Sequence, residues 1–436
     1  MAHQVTFRRA NGVTRKGWLA VSPLLFFVLL FTGLSVWVGD FYKVPILAVF
    51  TFTAAYAIIT TRGLPLAKRI ALYSSGADAN LMQMVWIFVL AGAFASTAKA
   101  LGAVDAAVNL TLSYLPPEML LAGFFVAACF ISLSIGTSVG TIVALAPMVP
   151  GVAEHAGFEL PMLTAAIVGG AFFGDNLSFI SDTTIAAART QHCKLSDKFR
   201  VNVRIVLPAA LVVVAVYVYL GLGVTGVAKA LPVDGIKMLP YMLVLVLAFI
   251  GVDVLLSLGA ALLLTCVLWL GMGHGSLEAL LVAMGDGIMG MSETILIALM
   301  ASGLFVIIRF NGGITFIIKQ MKVWMHSKRS GELGVGMLVA LANVCTANNT
   351  VAILSVGSIA RDVSLRYGID PRKTASVLDT SSCVVQSFLP YGAQLLLAAS
   401  YTGLSPVALM PYLYYPMGVA VMTVLAIMLR YPHRYS

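Results

Sequence analysis

The sequence has few charged residues for its length. Of its 436 residues, 10% are Asp, Glu, Lys or Arg, whereas 60% are hydrophobic and the mean hydropathy is +0.96. Soluble globular proteins carry about 25% charged residues. So little charge cannot cover a water-exposed surface of this size. The composition therefore excludes a soluble multidomain protein and indicates a polytopic membrane protein that lies mostly in the lipid bilayer.

Other protein classes are excluded by what is missing. The five cysteines are an odd number without CxxC spacing, so they are interpreted as small residues of apolar segments rather than a disulfide framework. There is no Walker A motif, so ATP does not drive the protein directly. The net charge of +9 comes from short basic clusters between apolar runs, a pattern typical of membrane topology. No nucleic-acid partner and no cofactor are expected.

The apolar runs are long enough to cross a bilayer, which takes about 20 residues. The first run follows a basic N-terminal stretch, is too long for a signal-peptide core and is interpreted as a span. Uninterrupted candidate spans are residues 18–38, 44–60, 81–101, 204–222, 238–251, 254–272, 290–309 and 407–429. Apolar segments interrupted by glycine and polar residues are 118–155, 161–190, 333–362 and 373–402. Segments 102–116 and 310–326 predict amphipathic or partly inserted helices.

The basic clusters predict the topology, because cytoplasmic loops are enriched in Lys and Arg. The clusters are Arg8/Arg9/Arg15/Lys16, Arg62/Lys68/Arg69, Arg189/Lys194/Lys198/Arg200/Arg204, Lys319/Lys322/Lys328/Arg329, Arg361/Arg366/Arg372/Lys373 and Arg430/Arg434. All of them can be cytoplasmic only if 118–155 and 333–362 are re-entrant hairpins and 161–190 and 373–402 are broken spans. This predicts ten spans plus two hairpins, with both termini in the cytoplasm.

An internal repeat divides the chain. A shift of about 210 residues places Lys99 on Arg309, Gly102 on Gly312, Pro161 on Pro371 and Thr137 on Thr346. The predicted units are a cytoplasmic segment 1–17, a first repeat 18–222, an external linker 223–237, a second repeat 238–430 and a cytoplasmic tail 431–436. Five crossings in each repeat make the second repeat inverted. Inverted repeats with broken helices at mid-membrane are typical of secondary transporters.

The interrupted segments are rich in oxygen-bearing side chains. Unwound backbone at membrane depth is tolerated only where protein or a watery cavity satisfies it, and freed carbonyls with Ser, Thr, Asn and Asp oxygens suit a small cation. The predicted ion- or substrate-binding residues are Thr137, Ser138, Thr141, Asp175, Asn176, Ser178, Ser181, Asp182, Thr183, Asn343, Thr346, Asn348, Asn349, Asp379, Ser382 and Gln386. Among them, Asp175, Ser178 and Asp182 are the predicted Na⁺ ligands.

Carboxylates inside the spans are the sharpest signal. An ionised carboxylate at the bilayer centre costs about 2.5–3.5 kcal/mol on insertion scales. That cost is offset if the group binds a cation or takes up a proton. A structural alternative stays open for Asp182, which precedes a Thr-Thr-Ile run and also resembles a helix cap.

The run Gly174-Asp-Asn-Leu-Ser-Phe-Ile-Ser-Asp-Thr-Thr184 resembles the signature of the NhaC family of sodium/proton antiporters, within the ion-transporter superfamily. Residues 136–141 resemble that family's first hairpin tip, and residues 342–346 with Pro390-Tyr391 resemble its second-half motifs. The resemblance implies exchange of Na⁺ for H⁺ across a bacterial inner membrane, with a homodimer as a further expectation. Family members often have Thr-Gly and then an acid where this chain reads Thr346-Ala-Asn-Asn-Thr350, which puts the number of coupled ions in doubt.

Three alternatives remain beside cation exchange. Asn348, Asn349, Ser381 and Gln386 also suit an amino acid or a carboxylate carried with Na⁺ or H⁺. A membrane-embedded hydrolase would need a nucleophile with a base or two facing aspartates, and no YD…GxGD pattern accompanies Asp182 and Asp379, so an enzyme is not expected. A passive channel is disfavoured by the inverted repeats.

Overall fold

The computed structural model describes residues 17–39, 44–114, 116–179, 181–223, 234–250, 252–322 and 325–435. Within these ranges every regular element is a helix and no strand is present. Nearly all of the predicted N-terminal segment, most of the predicted linker and Ser436 lie outside the described residues.

The helices up to the linker are α1 (Gly17–Val38), α2 (Ile46–Thr60), α3 (Leu66–Ser74), α4 (Ala79–Leu101), α5 (Ala103–Tyr114), α6 (Pro117–Ile135), α7 (Ser138–Leu145), α8 (Val149–Ala156), α9 (Leu160–Leu177), α10 (Asp182–Thr190) and α11 (Leu195–Gly221).

The described residues beyond the predicted linker are also helical. Its helices are α12 (Gly235–Phe249), α13 (Val254–Gly271), α14 (Leu277–Gly290), α15 (Ser292–Phe310), α16 (Gly313–Lys322), α17 (Lys328–Thr346), α18 (Asn349–Tyr367), α19 (Pro371–Ser387), α20 (Ala393–Thr402), α21 (Pro406–Leu409) and α22 (Tyr414–Met428). Short polar side chains cap several of these helices. The side chain of Asp78 accepts a hydrogen bond from the backbone N–H of Leu81, for example, and so satisfies a donor that lacks an intrahelical partner.

Many helices are long and apolar enough to cross a bilayer. Seven helical segments of the described chain meet that description: Gly17–Val38, Leu81–Leu101, Ser138–Ala156, Leu160–Thr190, Leu195–Gly221, Val254–Gly271 and Leu277–Phe310. An eighth is added if Ala393–Thr402 and Pro406–Tyr412, bent by 97°, form one span. The predicted all-helical, multi-span architecture is confirmed. The number of ten spans stays a prediction.

Helix α14 was not predicted. The sequence suggested a span at 290–309 and no element over residues 277–289, where Asp286 and two glycines interrupt the apolar run. In the structure α14 begins after Ser276, whose hydroxyl accepts a hydrogen bond from the backbone N–H of Ala279 at 3.1 Å. Only Met291 separates α14 from α15.

Helices end and restart inside all four segments that were predicted to be interrupted. Gly136 adopts a left-handed φ of 76° between α6 and α7, and Ala347 adopts a left-handed φ of 50° between α17 and α18. Residues 178–181 separate α9 from α10, and residues 388–392 separate α19 from α20. The predicted helix breaks are confirmed, whereas re-entry of the two hairpins stays a prediction.

Close packing of α6 on α9 brings the first break to the first hairpin. A Cβ atom on Gly174 would lie 2.0 Å from Oγ of Ser132, so a side chain at this position would push the two helices apart. Ser132 itself donates a hydrogen bond to the carbonyl oxygen of Ala171 at 2.5 Å. Glycine at position 174 therefore allows the next residue, Asp175, to lie beside the hairpin tip.

Candidate ion-binding site

Asp175 lies at the tip of the first hairpin. Its side chain is 4% exposed, and Oδ1 accepts a hydrogen bond from the backbone N–H of Ser138 at 3.0 Å. Ser138 is the first residue of α7, where backbone N–H groups lack intrahelical acceptors and attract negative charge. None of the four ion pairs between described residues includes Asp175.

Hydroxyl groups satisfy the backbone freed by the break between α9 and α10. Thr183 and Thr184 donate to the backbone carbonyl oxygen of Asp175 at 3.1 and 3.2 Å. The hydroxyls of Ser181 and Thr183 are 2.9 Å apart, and Ser178 donates to the carbonyl oxygen of Leu133 at 3.0 Å. These hydrogen bonds hold the Asp175 backbone against α10 and hold Ser178 against the first hairpin.

Two glutamine amides connect the tips of the two hairpins. Gln394 Nε2 donates to Oγ of Ser138 at 3.0 Å, while its Oε1 accepts from Gln386 Nε2 at 3.0 Å. Gln386 Nε2 also donates to the carbonyl oxygen of Ala347 at 3.1 Å, at the left-handed tip of the second hairpin. Gln386 Oε1 is buried and has no hydrogen-bond partner among the described residues. We call this chain from Ser138 through Gln394 and Gln386 to Ala347 the amide bridge.

Asparagine side chains hold the second hairpin. Asn343 Nδ2 donates to the carbonyl oxygen of Ser382 at 2.8 Å, which ties α17 to α19. Asn348 caps α18 by accepting from the backbone N–H of Val351 at 3.0 Å. Asn349 Nδ2 is 3.8 Å from Sγ of Cys383. Asn348 and Asn349 take the positions at which the family resemblance leads us to expect an acidic residue.

A second buried carboxylate, Asp379 on α19, pairs with Lys198 on α11. The distance from Lys198 Nζ to Asp379 Oδ2 is 2.7 Å, and the two side chains are 1% and 0% exposed. Asn202 Nδ2 donates to the same carboxylate oxygen at 2.7 Å and to the carbonyl oxygen of Asn176 at 2.9 Å. Lys198 also donates to that carbonyl at 2.8 Å and to Oγ1 of Thr184 at 2.6 Å. This cluster joins α9, α10 and α11 to α19.

Most of the residues predicted from sequence are buried at these breaks. The buried ones are Ser138, Thr141, Asp175, Asn176, Ser178, Ser181, Thr183, Asn343, Thr346, Asn349, Asp379, Ser382 and Gln386. Thr137 and Asn348 are half-buried. Asp182, expected as a Na⁺ ligand, is exposed at the first turn of α10. The structure therefore does not bring the Asp182 carboxylate into the buried cluster.

Sequence reasoning missed Lys198, Asn202 and Gln394. Lys198 had been assigned to a cytoplasmic loop cluster, and so had Lys373, yet both side chains are buried. Both lysines can be buried because each has acceptors for its ammonium group. Lys198 contacts Asp379, and Lys373 donates to the carbonyl oxygens of Ala426 and Tyr431. One available signal was the four-residue spacing of Lys198 and Asn202, which places both on one face of a helix.

The buried carboxylates of the site are not clustered with one another. Among the described residues no group of three or more His, Cys, Asp or Glu side chains is close enough to hold a metal ion. Asp175 accepts from the neutral N–H of Ser138, and Asp379 contacts the ammonium of Lys198 and the neutral amide of Asn202. Calcium sites, by contrast, combine several carboxylates with other oxygens.

A multi-span helical protein with polar residues buried at matched helix breaks belongs to the class of secondary transporters. The model of the Na⁺/H⁺ antiporter family matches residues 12–227 and again residues 228–432. The chain belongs to this family.

Characterised relatives differ in their cargo. The chain is 24% identical over 369 residues to the Na(+)/H(+) antiporter NhaC of Bacillus subtilis, covering 77% of this chain and 82% of the relative. It is 22% identical over 370 residues to the malate-2H(+)/Na(+)-lactate antiporter of the same organism, covering 77% and 78%. It is 25% identical over 337 residues to the arginine/ornithine antiporter ArcD of Halobacterium salinarum, covering 70% of each chain.

Proposed function

We propose that this antiporter-family protein exchanges Na⁺ for H⁺ by alternating access, and that the two ions compete at the Asp175 carboxylate. The observation that carries the proposal is the surroundings of Asp175. Its side chain is buried, it accepts a hydrogen bond from the N-terminus of α7, and no ion pair with a described basic residue neutralises it. A buried carboxylate without a counter-charge is stabilised by taking up a cation or a proton.

Competition at one carboxylate is sufficient for antiport. When Na⁺ binds, the proton must leave, and when the proton binds, Na⁺ must leave, so each ion dislodges the other on opposite sides of the membrane. Na⁺ would be coordinated by Asp175 together with oxygens of Thr137, Ser138 and Ser178. Gln386 Oε1 and other oxygens of the second half would complete the coordination. The amide bridge would hold them near Asp175, because it connects both hairpin tips.

Alternating access follows from the proposed architecture. We propose two inverted repeats over residues 18–222 and 238–430, each with five crossings and one re-entrant hairpin, and with cytoplasmic termini in a bacterial inner membrane. Two observations support it: the family model matches the chain twice, and the left-handed tips Gly136 and Ala347 fall in corresponding hairpins. A homodimer stays an expectation from the family resemblance.

Replacement of the central carboxylate tests the proposal. In proteoliposomes with an imposed Na⁺ gradient and an internal pH dye, Asp175→Asn should abolish Na⁺-driven proton flux, a loss of at least about 100-fold. Asn keeps the side chain's shape and can still accept the hydrogen bond from Ser138, but a carboxamide does not gain or lose a proton in the physiological pH range. Wild-type exchange in the variant would refute the assignment of Asp175.

A second candidate keeps the architecture and changes the cargo to an amino acid or a carboxylate coupled to Na⁺ or H⁺. It is favoured by the names of two relatives and by two buried amide oxygens, Asn343 Oδ1 and Gln386 Oε1, that have no donor within the described part of the chain. Such oxygens could accept hydrogen bonds from a polar organic solute. Uptake and counterflow screens with amino acids and dicarboxylates separate the two candidates. Accumulation of an organic solute under a Na⁺ gradient would favour the second.

A further inference from the structure

The ammonium group of Lys198 lies in a cage of oxygens. Nζ donates to Asp379 Oδ2 at 2.7 Å, to the carbonyl oxygen of Asn176 at 2.8 Å and to Oγ1 of Thr184 at 2.6 Å. An ammonium has three N–H donors, and here each has an acceptor. The side chain is 1% exposed, so water does not contribute. The lysine thus replaces its hydration shell with carboxylate, carbonyl and hydroxyl oxygens, as a bound alkali cation does.

The same residues offer more oxygens than the lysine uses. Asp379 Oδ1, Asn176 Oδ1 and Asn202 Oδ1 are buried and lack hydrogen-bond partners among the described residues. Thr183 also lies within hydrogen-bond reach of Asp379, and its single hydroxyl proton is shared between that carboxylate and the Asp175 carbonyl at 3.1 Å. Buried acceptors without donors are unfavourable unless a cation or a donor is near. Asp379 and its neighbours Asn176 and Asn202 therefore keep acceptor oxygens that Lys198 does not use, as the residues of a cation site do.

The charge of the cage matches one monovalent cation. Asp379 contributes a single negative charge, and the other atoms around it are neutral oxygens or amide donors. One carboxylate with several neutral oxygens suits an ion of unit charge, whereas divalent ions recruit more carboxylates. In this structure the unit charge is supplied by a residue of the chain itself.

We propose that the Lys198 ammonium is a tethered cation that fills a second monovalent-cation site, built by Asp379, Asn176, Thr184 and Asn202. This inference rests on the proposed function, in which Asp175 holds the exchangeable ion. It assigns a consequence to the pair: with the Asp379 site permanently occupied, the protein binds one exchangeable cation per chain. The tether also joins α11 to α19 and hence the two halves of the chain.

Removal of the tether should create a Na⁺ site. Lys198→Met keeps the length of the side chain and removes its charge, which leaves the Asp379 carboxylate and its oxygens free for a solution cation. In purified, detergent-solubilised protein with choline as the balancing cation, saturable ²²Na⁺ binding per chain should rise about two-fold over wild type. The thermal midpoint of Lys198→Met should also rise with Na⁺ concentration more steeply than that of wild type.

Two further variants separate this site from Asp175. Lys198→Met combined with Asp379→Asn removes both charges of the pair, a change that buried ion pairs often tolerate, and should return Na⁺ binding to the wild-type level. Asp175→Asn in the otherwise native chain should lose most Na⁺ binding. If Asp175→Asn loses binding but Lys198→Met gains none, the tethered cation is wrong and the proposed function stands. If Asp175→Asn binds Na⁺ as wild type does, the proposed function is wrong.

The test also covers failure to fold. If Lys198→Met cannot be recovered even at high Na⁺ while the double variant can, Na⁺ does not replace the ammonium and the inference is overturned. If neither variant is recovered, the stoichiometry of the wild-type protein decides. Saturable ²²Na⁺ binding of one ion per chain is expected, and two ions per chain overturn the inference. A gain in Lys198→Met that persists in the double variant also overturns it.

Discussion

Asp175, near the end of α9, and Asp379, in the middle of α19, are almost equally buried, yet their partners differ. Asp175 accepts a backbone N–H from Ser138 and has no basic partner among the described residues, whereas Asp379 contacts the ammonium of Lys198 and the amide of Asn202. The first carboxylate is therefore open to neutralisation by a mobile ion. The second is already neutralised by the chain. In the proposed function the Asp175 carboxylate serves ion exchange. The Asp379 carboxylate attaches α19 to α11 through Lys198.

The difference has a local cause in the helices. Asp175 reaches the first turn of α7, where the hairpin break leaves backbone N–H groups free. Asp379 lies in the middle of α19, where backbone N–H groups are already used within the helix. It must therefore be stabilised by side-chain donors, and α11 supplies them at Lys198 and Asn202, four residues apart on one face.

The largest effect on stability is expected from breaking the Asp379 pair on one side only. Asp379→Asn leaves a buried ammonium without a counter-charge, which typically costs about 3–5 kcal/mol. The loss should appear as a lower thermal midpoint and faster inactivation in detergent. Adding Lys198→Met to the same variant should restore most of the stability. Equal instability of the single and double variants would contradict the pairing.

A smaller effect is expected from cutting the amide bridge. Gln394→Leu keeps the volume but removes the donor to the Ser138 hydroxyl and one of the two acceptors of Gln386 Nε2, a loss of about 1–3 kcal/mol. Because Ser138 holds Asp175, the Na⁺ concentration for half-maximal flux should rise by up to about 10-fold, since 1.4 kcal/mol corresponds to a factor of ten.

Thr402→Val is the matched control on the same helix, because that hydroxyl only bonds the backbone of α20. It should leave the Na⁺ dependence unchanged. A wild-type Na⁺ dependence in Gln394→Leu would show that the amide bridge does not position the first carboxylate.

Substitutions at the two hairpin tips should change the stability of the protein in opposite directions. Ala347 has a left-handed φ of 50°, which disfavours a side chain, whereas the first hairpin has glycine at its corresponding tip. Ala347→Gly should stabilise the protein by about 1 kcal/mol, and Gly136→Ala should destabilise it by about the same amount. Thermal unfolding of both variants measures the effect. A destabilised Ala347→Gly would contradict the left-handed tip.

The smallest effect is expected at Asp182. Its side chain is exposed at the start of α10, so Asp182→Asn should change only the favourable interaction with the helix N-terminus, about 0.3–1 kcal/mol. Na⁺/H⁺ exchange should stay close to that of wild type in the flux assay described for Asp175→Asn. Loss of exchange in Asp182→Asn would restore Asp182 to the ion site and weaken the contrast between Asp175 and the exposed acid.

The sequence predicted the helix breaks well because their chemistry is local. Glycines, hydroxyls and amides inside an apolar run reveal an interruption wherever it folds, so the positions of Asp175 and Asp379 could be predicted. The partners of these acids could not be, because they come from distant segments. Lys198 looks like any other basic residue near the end of a span, and only its contact with α19 distinguishes it from Lys194. Gln394 was missed because it lies beyond the second break, on a helix with little polar character.

The amide bridge contains no side chain that titrates in the physiological pH range. Glutamine side chains neither gain nor lose protons in the pH range of living cells, so the link from Ser138 through Gln394 and Gln386 to Ala347 keeps the same hydrogen bonds in acid and in alkali. The mechanical connection between the two hairpins is thus insensitive to the proton concentration that the transporter works against. In the proposed exchange, the response to protons is therefore left to the carboxylates.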